Sequence, residues 1–218
     1  MSTHKYQILV VDDHPIVRQG VSRLISEEER FLVCGEASTW GEAVDLAANT
    51  RPDALVLDIS LGKRMGLDLI REMTALVPEL RILVLSMHDE LVYAERSLRA
   101  GAHGYIMKSD AAQKILEALD HILSGGVYVS PRLTGLLLGR PLHSPDCRPR
   151  PGIQSLTNRE LEVLSLIGQG LSSEAIAARL SLSLKTVEAH RSNIRNKLGL
   201  ETGERLLEVA IRYTRELL

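Results

Sequence analysis

Two aspartates stand side by side at residues 12 and 13, directly after the apolar run Ile8-Leu9-Val10-Val11. One carboxylate at the end of such a run serves as a helix N-cap, and Pro15 suits the first turn of the helix that should follow. Two exceed what a cap requires. Adjacent carboxylates repel, and a divalent cation relieves that repulsion best. Asp58 closes a second apolar run, "DALVLD"; Ser86 closes a third, "RILVLS"; Lys108 follows a fourth, "GYIM". Three carboxylates offer hard oxygens suited to Mg2+, which takes one or two carboxylates and fills its other positions with water and phosphate oxygens. A hydroxyl and an ammonium beside them complete a site for a phosphoryl group on a carboxylate, with aspartate as nucleophile. Mg2+ and Lys108 would stabilise the charge on the transferring oxygens.

These groups can meet only if one fold gathers them. The front of the chain alternates short apolar runs with helical stripes. Strands are expected near 7–11, 31–36, "DALVLDIS", "RILVLSM" and "GYIMKS". Between them lie helical segments at Pro15 to Glu28, Trp40 to Asn49, around Leu67 to Met73, 90–100 and 110–124. Five βα units with right-handed crossovers form a doubly wound, five-stranded parallel sheet, and ligands collect at the carboxyl ends of such strands. Asp12, Asp13, Asp58, Ser86 and Lys108 all fall there. His14, His88 and His103 have no metal-ligand spacing and read as structural or surface groups.

The motifs "LVVDDHP", "LVLDISL…MG", "LVLSMHD" and "GAHGYIMKS", in this order over residues 6–125, resemble the flavodoxin-like receiver domain of bacterial two-component response regulators. The resemblance implies Asp58 as phosphoacceptor, Asp12 and Asp13 as Mg2+ ligands together with Asp58, and the backbone carbonyl of Ser60 as a further contact. It implies Ser86 and Tyr105 as a switch pair and Lys108 as the phosphate-binding lysine. The sequence departs from the family at Gly62 and Lys63, where Pro and often Gly are usual.

The back of the chain has helical patterning only. Thr157 and Glu160 form a capping box ahead of the stripe Leu161, Val163, Leu164 and Ile167, which ends at Gly168 and Gly170. A second helix begins at Ser172 and a third runs from about Lys185 to Leu198; two short helices joined by a tight turn make a helix-turn-helix. In the third helix Val187, Ile194 and Leu198 share one arc and are expected in the core. Lys185, Glu188, Ala189, Ser192 and Arg195 lie opposite, flanked by Thr186 and Arg191, a mixture fitted to base edges and phosphates. The stretch from Leu156 to Leu200 resembles the four-helix DNA-binding domain of the LuxR/NarL type almost throughout. That resemblance implies a last helix, about 203–215, that serves dimerisation.

Composition sets the class. The 218 residues are 44 % apolar with a net charge of -2. Residues 1–138 carry 14 basic against 19 acidic groups, and residues 153–218 carry 9 against 8, so two modules with different partners are expected. No apolar run reaches the roughly 18 residues of a membrane span. Cys34 and Cys147 form no zinc motif, which with the lack of a signal peptide points to a reducing, cytoplasmic setting. The expected organisation is a receiver at 1–125, a linker at 126–152 that holds most of the proline-rich stretch 139–154, and a small all-α helix-turn-helix domain at 153–218. The function read from these features is a transcription factor, not an enzyme, switched when a sensor histidine kinase phosphorylates an aspartate. It would dimerise on activation and bind paired half-sites in double-stranded promoter DNA. A metal-dependent phosphohydrolase could use the same aspartates, but it would need a second acid/base group and a substrate pocket. A degenerate receiver that regulates without phosphate is the other alternative.

Overall fold

A computed structural model describes residues 5–61, 64–87, 90–138, 152–180 and 182–215. Gly62, Lys63, His88, Cys147 and the proline-rich stretch through residue 151 lie outside the described residues. The chain divides into two compact units, residues 1–140 and 141–218.

The first unit is built in chain order from β1 (Tyr6–Val11), α1 (Pro15–Ser26), β2 (Phe31–Ala37), α2 (Trp40–Thr50) and β3 (Ala54–Asp58). Then come the two-residue strands β4 (Ser60–Leu61) and β5 (Arg64–Met65), α3 (Gly66–Leu76), β6 (Arg81–Ser86), α4 (Glu90–Ala100), β7 (Gly104–Met107), α5 (Ala111–Leu123) and α6 (Pro131–Leu138). The five long strands are parallel in the order β2-β1-β3-β6-β7, the doubly wound sheet expected from the sequence. The apolar runs of β1, β3, β6 and β7 are buried, whereas the edge strand β2 leaves Leu32 exposed. Ile8 and Val10 pack with Val56, Leu83 and Leu85 against Val21 and Ile25 of α1 and Ile115, Leu119 and Ile122 of α5. The pleat leaves Leu9 and Val11, equally buried, for the opposite face. Strand order reverses between β1 and β3, and the crevice opened by that reversal is flanked by Asp12 on one side and Asp58 on the other.

Two features were not expected from the sequence. Strands β4 and β5 form an antiparallel ladder directly after Asp58. Gly66 returns the chain to that loop: its N–H donates to the Ile59 carbonyl at 2.7 Å. A Cβ there would stand 3.0 Å from Ile59 Cα, so only glycine fits without displacement. The second feature lies at the start of the expected linker, where residues 126–138 carry structure of their own. Tyr105 N–H donates to the Tyr128 carbonyl and Tyr128 N–H to the His103 carbonyl, both at 2.9 Å, which covers the free edge of β7. Ser130 then caps α6, its Oγ accepting from Leu133 N–H at 3.2 Å, and both Glu90 carboxylate oxygens bind Ser130, from N–H at 3.0 Å and from Oγ at 2.6 Å.

The second unit contains α7 (Asn158–Gly168), α8 (Ser173–Leu180), α9 (Leu184–Leu198) and α10 (Gly203–Arg215). The capping box is formed in full at Thr157 and Glu160. Leu161, Val163, Leu164, Ile167, Ile176, Val187, Ile194, Leu206 and Ala210 make the core. Leu198, expected there, is only half-buried, because it is the last residue of α9, beyond the buried Ile194.

The two glycines after the α7 stripe do different work. Gly170 takes the left-handed conformation (φ +82°) that ends the helix. Gly168 is still helical, and a Cβ on it would fall on the carbonyl of Ala210 and on Thr214 Oγ1, so it marks a close approach of α7 to α10. Gly168→Ala should cost this unit about 1–3 kcal/mol through overpacking, despite alanine's better helix propensity. Chemical denaturation followed by helical circular dichroism checks this, and an unchanged midpoint would refute the close approach.

Candidate phosphorylation site and DNA-facing helix

Asp12 follows β1, Asp58 ends β3 and Lys108 follows β7, so three strand ends meet at one edge of the sheet. The Lys108 ammonium bridges two carboxylates, 2.7 Å from Asp12 Oδ2 and 2.8 Å from Asp58 Oδ2. Asp12 and Asp58 are buried and Asp13 half-buried. Burial pushes the Asp58 carboxyl above its ordinary pKa, against the opposing pull of Lys108 and of the Ser60 N–H, which donates to Oδ1 at 3.0 Å. Burial works against the Lys108 ammonium too, but the attraction of Asp58 and the bonds to Asp12 and Asp58 outweigh it and raise its pKa. The lysine is therefore favoured as a cation beside the Asp58 carboxylate.

Ser86 ends β6 and Tyr105 is the second residue of β7, and both are fully buried. Tyr105, one of the expected switch pair, has its ring inside the fold.

His14 lies at the surface, as expected, and also beside the carboxylate cluster. Its ring is exposed, yet Nδ1 sits 2.7 Å from Asp13 Oδ1, 3.3 Å from Asp12 Oδ1 and 4.0 Å from Asp58 Oδ2. The four groups offer donor atoms that all lie within 4.8 Å of one another, a set that fits a hard divalent cation through its three carboxylates. Adjacency to Asp13 was the sequence signal for the place of His14 beside the cluster. His103 is structural as expected: Nδ1 accepts from Ile82 N–H at 3.2 Å, and burial, with the charge of Arg81, lowers its pKa.

On α9, Lys185, Glu188 and Ala189 are exposed, and Thr186, Arg191, Ser192 and Arg195 are half-buried. Val187 and Ile194 hold the opposite side in the core. Ser183 caps the helix, accepting from Thr186 N–H at 3.1 Å, and Gly199 ends it at φ +66°. Glu188 has partners within the protein: Ser173 Oγ donates to its Oε1 at 2.5 Å, and Arg191 Nε lies 3.9 Å away. The carboxylate thus ties α8 to α9. Among the described residues no helix is long and apolar enough to cross a membrane.

Comparison with known proteins agrees with both units. Residues 8–120 match the response regulator receiver domain, and residues 154–210 match the luxR family of bacterial regulatory proteins. The chain is 35% identical over 210 residues to the oxygen regulatory protein NreC of Staphylococcus haemolyticus, covering 94% of this chain and 97% of that one. It is 33% identical to the transcriptional regulatory protein DegU of Brevibacillus brevis, with 92% and 90% covered. Among solved structures it resembles RcsB of Salmonella enterica serovar Typhimurium bound to promoter P1flhDC in the presence of the phosphomimetic BeF3-. There the TM-score is 0.70 at 26% identity, covering 95% of this chain and 98% of that one.

Proposed function

Because the chain belongs to the two-component response regulators that join a receiver to a luxR-family DNA-binding domain, we propose that phosphorylation of Asp58 is the event that switches it. The family is one of transcription regulators and not of enzymes. The observation that carries the proposal is the Lys108 ammonium, 2.7 and 2.8 Å from carboxylates at two different strand ends. In this reading Asp12, Asp13 and Asp58, with the carbonyl of Ser60, hold Mg2+, which when bound neutralises charge on the transferring oxygens. An Asp58 oxygen forms the new bond to phosphorus as the bond from phosphorus to the kinase's histidine nitrogen breaks. Lys108 then pairs with the phosphoryl oxygens, and the Ser86 hydroxyl, already at the strand end, is drawn to them.

Signalling then proceeds through a cytoplasmic homodimer on paired promoter half-sites. Lys185, Thr186, Arg191 and Arg195 meet phosphates or purine edges, while Glu188, Ala189 and Ser192 face the bases. The test uses the full chain, acetyl phosphate and a duplex selected from a random library. Acid-labile phosphate should appear only with Mg2+, and should raise both the dimer fraction in sedimentation and DNA affinity. Label without Mg2+, or label without a gain in affinity, refutes the reading. Glu188 is the sharpest probe of the DNA face, because base contact must exchange its bond from Ser173 for one from cytosine N4. Glu188→Ala should relax preference at one base pair per half-site by about 1–3 kcal/mol. An unchanged profile across single-base operator variants would confine Glu188 to its tie between α8 and α9.

A further inference from the structure

Asp12 has partners on several elements, and one of them lies outside the carboxylate cluster. The Asp12 N–H donates to the Ala37 carbonyl at 3.1 Å, Oδ1 accepts from the His14 N–H at 2.8 Å, and Oδ2 pairs with Lys108. The backbone carbonyl accepts from Arg18 Nη1 at 2.7 Å. Asp12 stands one residue past the last ladder pair of β1 and is 2 % exposed, so its carbonyl is buried with no strand neighbour. Such a group needs a donor from elsewhere.

Arg18 supplies it from the first turns of α1 with a side chain only 16% exposed. Its Nε faces Glu36 Oε2 of β2 at 3.3 Å, so the planar fork is held at one end while the other grips the carbonyl. A guanidinium is suited to this because it is always charged, weakly hydrated and rigid in its donor geometry. Its charge also offsets part of the repulsion among the three carboxylates that meet here.

We propose that Arg18 is a positioning residue for the cation site, fixing the backbone at Asp12 and so setting how the Asp12–Asp13 pair faces Asp58. The proposal rests on the reading of these carboxylates as the Mg2+ site. It assigns Glu36 the task of orienting Arg18. Groups that orient metal ligands from behind typically change affinity by about 10–100-fold when removed.

The test is calorimetric titration of the full chain with Mg2+, using Arg18→Met, Arg18→Lys and Glu36→Gln, with melting temperatures recorded in EDTA. Arg18→Met should bind Mg2+ about tenfold more weakly than the parent. Arg18→Lys, which keeps the charge and one donor, should recover most of the loss, and Glu36→Gln should fall between Arg18→Met and the parent. With acetyl phosphate, the Mg2+ concentration for half-maximal labelling of Arg18→Met should rise while the rate at saturating Mg2+ holds. Affinity within twofold of the parent overturns the proposal. So does a loss that Arg18→Lys does not recover and that tracks a lower melting temperature without metal, since that is general destabilisation. A parent chain that itself fails to bind Mg2+ refutes the reading of the three carboxylates instead.

Discussion

Asp58→Asn should carry no acid-labile phosphate at all while the receiver remains folded. The amide keeps the size and planarity of the carboxyl and can still accept the Ser60 N–H through Oδ1, but it is no nucleophile toward phosphorus. Removing a buried charge relieves the desolvation that raises the Asp58 pKa. It also takes one carboxylate from Lys108, which keeps Asp12 at 2.7 Å. These effects oppose each other, so the melting temperature should move by a few degrees at most. Labelling by acetyl phosphate, read by phosphate-affinity electrophoresis, checks the outcome. Undiminished labelling would shift the acceptor to Asp12 or Asp13.

The largest effect on stability is expected at Glu160 in the second unit. Its side chain is 4% exposed and binds two partners at 2.7 Å: the Thr157 N–H at the start of α7 and the Lys197 ammonium near the end of α9. Glu160→Ala removes the capping box and the tie between these helices together. The expected cost is about 2–4 kcal/mol, from a lost cap and a broken, largely buried pair. In a unit this small that is much of the total, and each kcal/mol lowers the melting temperature by roughly 4–8 °C. The dependence on pH has a definite sign. Burial would raise the Glu160 pKa, but the bonds from Lys197 and Thr157 outweigh it and hold the carboxyl below its ordinary value. The charged contribution is therefore complete above about pH 4.3, the unperturbed value, and is lost as pH falls through the lower folded one. Stability of parent and variant should differ by a constant amount near neutrality and converge in acid. A gap that widened in acid would show that Glu160 is not held as a carboxylate.

The strand-end residues were legible because each follows a run of buried β-branched or leucine residues, and a parallel fold puts all such ends on one edge. Three helices of the second unit were legible from their stripes and from the Thr157–Glu160 box, and the fourth only through the family resemblance. The hairpin after Asp58 escaped because two-residue strands carry no periodicity. Helix α6 escaped because eight residues give only two turns and Gly135 interrupts them, although Ser130 followed by Pro131 was a usable start signal. Arg18 and Glu90 escaped for another reason. Each acts through one long-range bond, to a carbonyl or to a capping serine, and nothing local in their neighbourhood announces it.

The ladder between Tyr105 and Tyr128 and the grip of Glu90 on Ser130 bear on how such regulators can be recombined. A hybrid spliced after residue 125 would take its sensing half without the segment that covers the β7 edge and binds the start of α4. An uncovered edge strand invites pairing with other chains, and Glu90 would lose both donors at once. A junction beyond Leu138 transplants the receiver together with the chain segment bonded to it. Where two regulators are exchanged piece by piece, the natural unit of inheritance on this side is the longer one.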